Sequence, residues 1–347
     1  MAGPYYVDGA VGNDGNDGLD EGAGHAWATI DKAMNTVAAG ETVYVKASAT
    51  YNENPSIDTA GTLIAPVTFE GYTTTPGDGG RAAITGEIQN TVGARLYYIF
   101  KNFDVSNEGG AGAGRCVTLT QSNTTWKNCV FHDNTALSLV SVTISCFFEN
   151  CEFNDGVGDG CICITAVFVG CKFYRNSLSG IDGSSFVACI YCEFFSNGSA
   201  AIDGASTNDV PLIVVDCTID GDNDTTTGIL KNTANHGGVV VVNNIVYDCV
   251  TGMTWGGHAD YPGFGISRNN LVNSNTDDYS DGAYTSEGEV TGAPQFADED
   301  NNDYALASGS PARGVGFDLE GNTDIGARQS AGTGTVPPLY PWHVGGA

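Results

Sequence analysis

Positive charge is scarce in this sequence. Among 347 residues, 13 are Lys or Arg and 41 are Asp or Glu, which gives a net charge of −28. A surface of that sign repels nucleic acid and anionic membranes, so nucleic-acid-binding classes are excluded. It favours cations and neutral or cationic partners, although a solvated acidic surface with no specific partner is the simpler interpretation.

Long apolar runs and helical periodicity are also lacking. No window approaches the ~18 apolar residues of a membrane span, so no membrane insertion is expected. Helical repeats have units of roughly 33 residues or more with a period of 3.6, whereas apolar residues here alternate in short bursts. The 48 glycines are about twice ordinary usage and indicate many tight turns.

One short phrase returns eight times in the middle of the chain, at intervals of 26, 22, 20, 21, 25, 27 and 26 residues. An apolar residue follows two positions after each anchor, as in a strand with one buried face. A strand at this spacing predicts an all-β fold, a right-handed parallel β-helix that forms one elongated solenoid. The anchors are Phe103, Cys129, Cys151, Cys171, Cys192, Cys217, Asn244 and Asn270.

The eleven cysteines show no zinc-binding C-x-x-C pairs. Five of them are anchors of the phrase, and parallel stacked side chains rarely meet the geometry of a disulfide. We therefore predict that Cys129, Cys151, Cys171, Cys192 and Cys217 are stacked, buried and reduced. Reduced thiols indicate folding in a reducing cytoplasm. Asn244 and Asn270 continue the column, where stacked amides can satisfy one another.

The ends of the chain differ from its middle. Ala26–Ala38 has an apolar face typical of an amphipathic helix, which we expect to cap the open end of the solenoid. The predicted organisation is an N-terminal cap (1–65), a β-helix (66–296), a closing segment (297–330) and an extended tail (331–347). The opening residues lack the basic and apolar regions of a signal peptide, so we expect either a trimmed chain or synthesis in the cytoplasm.

Three stretches near the ends of the chain carry a family resemblance. They are YYVDGAVGNDGNDG followed by AWATIDKAMNTVAAGETVYVKASATYNE, then PVTFEGYTTTPGDGGRAAITG, and finally APQFADEDNNDYALASGSPARGVG with DIGARQ. They resemble stretches of pectate-lyase-like, right-handed β-helix proteins. The resemblance covers most of residues 5–329 and implies the fold. It implies no single activity, because the superfamily includes lyases, hydrolases, epimerases, phage tailspikes and inert scaffolds.

A lyase of this superfamily would need a Lys or Arg base and carboxylates that hold calcium against a uronate. Asp159, Asp182 and Asp203 are spaced 23 and 21 residues apart, so we expect them to stack along one edge that binds a glycan or a cation. Lys172 and Arg175 lie on the same coils and are the candidate catalytic residues. The alternative is that each Asp precedes Gly as turn chemistry.

Other catalytic signatures are absent. The R-I-K element of polygalacturonases is missing, and DGDND at 220–224 is no EF-hand, since Thr225 and Lys231 stand where Gly and Glu are required. We therefore expect that no cofactor is required, with calcium as the open alternative.

The tail VPPLYPWHV (336–344) follows a Ser/Gly/Thr linker, and its prolines fix an extended backbone. Leu339, Tyr340 and Trp342 would be costly to leave in water. We expect them to dock into a neighbouring subunit, so the protein would be an oligomer; the alternative is that the tail folds back on its own rod.

Two functions fit these features best. An external structural or adhesive protein of a bacteriophage virion, synthesised in the cytoplasm and able to bind polysaccharide, accounts for the free thiols and the docking tail. A calcium-dependent polysaccharide lyase acting on a uronate polymer accounts for the resemblance and the Asp column. A passive carbohydrate-binding β-helix is the third class.

Overall fold

The computed structural model describes residues 3–90, 97–110, 112–120, 123–204, 211–222, 226–231, 238–255, 265–280, 287–317 and 324–329. The predicted tail, with Leu339, Tyr340 and Trp342, lies outside these residues. Within them, no helix is long and apolar enough to cross a membrane.

Three parallel sheets run the length of a right-handed β-solenoid, as predicted. The first sheet has eleven strands and the second and third have nine each. Each coil contributes one strand to each sheet in turn. The N-terminal elements are β1 (Tyr5–Asp8), α1 (Ile30–Met34) and β2 (Thr42–Lys46).

The coil strands follow in chain order, in the sequence first, second and third sheet. They are β3 (Val67–Tyr72), β4 (Ala82–Thr85), β5 (Ile88–Gln89), β6 (Tyr98–Lys101), β7 (Phe103–Ser106), β8 (Val117–Leu119), β9 (Thr124–Lys127), β10 (Val130–His132), β11 (Ser138–Val142), β12 (Cys146–Glu149), β13 (Glu152–Asn154), β14 (Asp159–Cys163), β15 (Ala166–Val169), β16 (Lys172–Tyr174), β17 (Ile181–Gly183), β18 (Val187–Ile190), β19 (Glu193–Phe195), β20 (Ala200–Asp203), β21 (Leu212–Val215), β22 (Thr218–Asp220), β23 (Thr227–Lys231), β24 (Val239–Val242), β25 (Ile245–Tyr247), β26 (Thr251–Trp255), β27 (Gly265–Arg268), β28 (Leu271–Asn273) and β29 (Asp277–Ser280).

Part of the interior is a column of identical side chains. Phe131, Phe153, Phe173 and Phe194 pair in register in the second sheet, with successive ring centroids 5.1, 4.5 and 4.9 Å apart. These are the apolar residues two positions after the anchors. The alternation of apolar residues therefore correctly predicted which face of these strands is buried.

The corner between the first and second sheets explains why the phrase recurs. The residue before each anchor has a positive φ, from 49° at Asn269 to 62° at Gly170, which turns the chain from one sheet to the next. Asn, Asp and Gly adopt this left-handed conformation most readily, and they fill every such position in the eight phrases except Tyr191.

The anchors line the inside of that corner. All five anchor cysteines are fully buried and free, and each thiol interacts with the next along the column. Asn244 Nδ2 donates to Asn270 Oδ1 at 3.0 Å, so the amides continue the ladder. The predicted stacked, buried thiols are confirmed.

The N-terminal helix is shorter than predicted. It spans Ile30–Met34 rather than Ala26–Ala38, with Thr29 Oγ1 accepting a hydrogen bond from Lys32 N at its start. Residues before it form backbone hydrogen bonds to β1 and its loop instead, such as Trp27 N to Tyr6 O, while Thr36 N and Val37 N after it both donate to Ala33 O. Moreover, β1 and β2 extend the first sheet into the region predicted as a cap.

The closing segment lies across the outer face of the second sheet. Strands β30 (Phe296–Asp298) and β31 (Asp303–Leu306) form a separate antiparallel pair joined by the 3₁₀ turn Glu299–Asn301. The last coil strand ends at Ser280, and parallel bridges from Arg268 to Glu287 and from Leu271 to Val290 continue the coil toward the predicted end at Phe296. Leu306, Ala312 and Ile325 pack on Ile245 and Leu271.

Candidate functional site

The predicted column of three aspartates does not form. Asp182 and Asp203 are register partners on β17 and β20, and burial raises the pKa of Asp182. Asp159 instead accepts a hydrogen bond from Ser179 N at 2.9 Å. The coil between them is 20 residues long, as the pairing of Cys161 with Ile181 shows. A spacing of 23 therefore places Asp159 three positions out of register with Asp182.

The candidate bases lie on another surface. Lys172 is on β16 of the second sheet and Arg175 follows that strand, whereas Asp182 and Asp203 are on the third sheet. Lys172 Nζ lies 3.3 Å from Glu193 Oε2. Arg175 donates Nε and Nη2 to the two oxygens of Asp155, both at 2.7 Å, and this pairing raises the pKa of Arg175. The expectation of one edge that carries all five residues was wrong.

A second column of left-handed residues turns the chain from the second to the third sheet. Each member follows a strand of the second sheet, so side chains from consecutive coils meet along one corner. Ser196 Oγ, for example, donates to Asp222 Oδ2 at 3.0 Å. The members are Asp133, Asp155, Arg175, Ser196, Asp222, Asp248 and Ser274.

A groove follows this corner, and we call it the corner groove. Its open part has a volume of about 560 Å³ and is lined by Arg175, Asn176, Ser196, Gly198 and Asp222. It adjoins a deeper part of about 330 Å³ that the closing segment roofs. The deeper part is lined by Arg175, Phe195, Ser196, Asp220, Asp222, Glu299, Asp300, Asn302 and Tyr304.

The deeper part concentrates negative charge. Burial, together with the charges of Asp222 and Asp248, raises the pKa of Asp220 to about 6. Burial and the charges of Asp220, Asp248, Asp300 and Asp222 also raise the pKa of Glu299. Arg175 is the one basic residue among the lining residues that the structure describes. The groove therefore attracts cationic or neutral ligands more readily than polyanions.

Aromatic rings form the floor beside the groove. Tyr174 and Phe195 stack with centroids 4.7 Å apart and an interplanar angle of 8°. Arg175 lies 4.7 Å above the Tyr174 ring, and Tyr304 of the closing segment packs on Phe195 at 5.5 Å. Burial, then the charge of Glu152, raises the pKa of Tyr174 to about 12. The Tyr174 hydroxyl donates to Glu152 Oε2 at 3.1 Å.

A charged cluster lies at the other end of the same sheet face. His132 Nε2 is 2.8 Å from Asp104 Oδ1, and its Nδ1 is 2.7 Å from Asp133 Oδ2. These hydrogen bonds raise the pKa of His132 to about 9, so the ring is protonated at neutral pH. Since both ring nitrogens already face carboxylates, His132 is poorly suited to act as a base.

Within the described ranges, no three His, Cys, Asp or Glu side chains converge in a geometry that could hold a metal ion. The roles assigned to Lys172, Arg175 and the three aspartates stay predictions, and only Arg175 lines the corner groove. Phe195, Ser196, Asp222 and Tyr304 were missed as site residues. The recurrence of a polar residue two positions after the apolar strand residue, in seven of the eight phrases, was the available signal for the corner.

No protein-family model and no curated protein matches this sequence. Solved structures do match the fold. A pectate lyase, Pel9A, superposes with a TM-score of 0.68 at 17% identity, over 94% of this chain and 96% of that one. A rhamnogalacturonan lyase superposes with a TM-score of 0.56 at 16% identity, over 92% and 94%. This likeness confirms the predicted parallel β-helix fold and extends over nearly the whole chain.

Proposed function

We propose that this protein acts on carbohydrate, and that it binds a neutral or cationic polysaccharide along the corner groove. The observation that carries this proposal is the stacking of Arg175, Ser196 and Asp222 from successive coils along one open groove. A polymer of repeating sugars can place equivalent hydroxyls against equivalent side chains of successive coils. Carboxylates of the groove accept hydrogen bonds from sugar hydroxyls, and the guanidinium donates them.

The charge of the groove favours a different ligand from that of an enzyme acting on pectate. Asp220, Asp222, Glu299 and Asp300 surround the deeper part, and the whole chain carries a net charge of −28. A uronate polymer would be repelled unless cations bridged the two. A polymer of neutral sugars, or of amino sugars with free ammonium groups, meets no such barrier.

Lyase chemistry remains the alternative, with calcium bridging a uronate to the acidic residues. It would need a base that is free to take a proton, and Lys172 and Arg175 are both held in ion pairs. Pairing with Asp155 raises the pKa of Arg175, which stabilises its charged form and disfavours proton abstraction by it. The described residues therefore support binding better than β-elimination.

Binding is tested on immobilised neutral, amino-sugar and uronate polysaccharides, with and without calcium. We expect retention on a neutral or amino-sugar polymer without calcium. Arg175→Gln should weaken it about tenfold, as the loss of a charge-assisted hydrogen bond implies. Lys127→Gln is the matched control, because Lys127 pairs with Glu149 on the outer face of the first sheet. Retention only on a uronate with calcium, with unsaturated products, would favour the lyase instead.

A virion location is a second proposal, supported by the cysteines. All eleven are buried and free, which fits a protein that folds in a reducing cytoplasm before it reaches an exterior surface. Mass spectrometry of purified phage particles would test it. The chain should co-purify with particles in fixed stoichiometry, and its absence from them would remove this proposal.

A further inference from the structure

The outer face of the first sheet carries an apolar surface that the fold itself does not use. One column of this face is apolar over strands β12 to β27 and the adjacent column over β15 to β24, and we call the two together the apolar stripe. Strand register aligns the members within each column. The stripe comprises Phe147, Val167, Ala188, Ile213, Val240 and Ile266 in one column, and Val169, Ile190, Val215 and Val242 in the other.

The stripe begins and ends abruptly. One strand before it, the same two columns hold Thr125 and Lys127, and the second column is closed by Glu149 and Arg268. Between those two ionic residues neither column contains a charge. Most stripe side chains are partly exposed, and Ile266 is 42% exposed. A contiguous apolar patch on an acidic protein marks an interaction surface.

We propose that the stripe is the docking site of this chain's own C-terminal tail, residues 330–347. The described chain approaches the edge of the stripe. Ala327 N donates to Thr218 Oγ1 at 3.0 Å, and Arg328 Nη2 donates to Glu193 Oε2 at 3.1 Å. Thr218 lies three residues after Val215, and Glu193 lies three residues after Ile190. The chain therefore reaches Gln329 at the corner that borders the middle of the stripe.

The tail has the length and the chemistry that the stripe requires. Its 18 residues can span roughly 60 Å when extended, whereas six strands about 4.8 Å apart extend over only about 24 Å. It contains no Asp or Glu, and it supplies Val336, Leu339, Tyr340 and Trp342. Its prolines favour an extended backbone, which can lie along a flat sheet face. Attachment beside the site gives the chain's own tail a high effective concentration there.

A photo-crosslinking amino acid placed at position 342 of the full chain tests this proposal. We expect a crosslink within one polypeptide, mapped by mass spectrometry to peptides that contain stripe residues. Val215→Lys places a charge in the stripe and should reduce that crosslink to background. Thr125→Lys places the same charge on the same face one strand before the stripe and should leave it intact. Circular dichroism melting verifies that both variants fold.

Deletion of residues 330–347 gives an independent readout. The truncated chain should bind more bis-ANS than the full chain, because the stripe becomes accessible, and Val215→Lys in the truncated chain should reverse part of that gain. Three outcomes would overturn the proposal. They are crosslinks found at twice the chain mass, which would mean the tail of a second copy; crosslinks to another face; and no crosslink above background.

Discussion

The hydroxyl of Tyr304 donates a hydrogen bond to Asp220 Oδ2 at 3.0 Å, across 84 residues of sequence. Asp220 belongs to the second sheet and Tyr304 to the closing segment, so this contact fixes the roof of the deeper groove. Burial, together with the charge of Asp220, raises the pKa of Tyr304, which stays protonated and able to donate. The contact links the stability of the closing segment to the shape of the candidate site.

Tyr304→Phe should therefore destabilise the protein by about 1–2 kcal/mol, because a buried acceptor loses a donor. It should also weaken polysaccharide binding by altering the roof. Urea unfolding and the binding assay measure the two effects. Tyr44→Phe, on the outer face of the first sheet, is the control and should change neither.

Stability should fall as pH rises from about 4 to about 7. Burial raises the pKa of Asp216 to about 7. An unfolded aspartate ionises near its ordinary value, so between these two pH values the folded state holds a proton that the unfolded state has lost. The contribution of Asp216 to the free energy of unfolding therefore decreases over that window and levels off above it.

Asp216→Asn isolates this effect from the general repulsion of an acidic chain. The variant and the parent should be about equally stable near pH 4. At pH 8 the variant should be more stable by about 1–3 kcal/mol, since a shift of one pKa unit corresponds to ~1.4 kcal/mol. Urea unfolding at the two pH values provides the comparison, and an equal difference at both would contradict the assignment.

The asparagine ladder, Asn244 and Asn270, should contribute strongly to the stability of the folded protein. Asn244 accepts from Cys217 N at 3.0 Å and donates to Val214 O at 2.9 Å, both inside the rod. Asn244→Ala leaves these groups without a partner and should cost about 2–4 kcal/mol. Asn273→Ala, on the outer face of the second sheet, should cost less than about 1 kcal/mol. Thermal and urea unfolding measure both losses of stability. Equal losses in the two variants would mean that the asparagine ladder does not stabilise the protein.

The cysteine thiols should be unreactive in the native state. Burial raises the pKa of Cys171 and Cys217, and all eleven cysteines are buried and free. Ellman's reagent should find almost no reactive thiol in the folded protein and eleven after denaturation without reductant. A markedly lower count in denaturant, restored by reductant, would mean that disulfides exist.

The repeat could be predicted from the sequence because every coil has the same local pattern of residues. An inward apolar residue two positions after the anchor and a left-handed Asn, Asp or Gly before it are short-range requirements of a strand and a corner. The apolar residue predicted the parallel β-helix, the buried strand face and the cysteine column without any knowledge of distant contacts, and the structure added the left-handed residue before each anchor.

Register between coils was decided only by the tertiary structure. Corner loops differ in length from coil to coil. Residues at similar spacing along the chain therefore need not be aligned between neighbouring coils. Asp203 therefore stacks on Asp182, while Asp159 lies beside Ser179. The corner groove also depends on the closing segment, because Tyr304 and Glu299 reach Asp220 only after the chain folds back over the second sheet. The sequence determined the coil, and the packing of coil on coil decided which side chains meet.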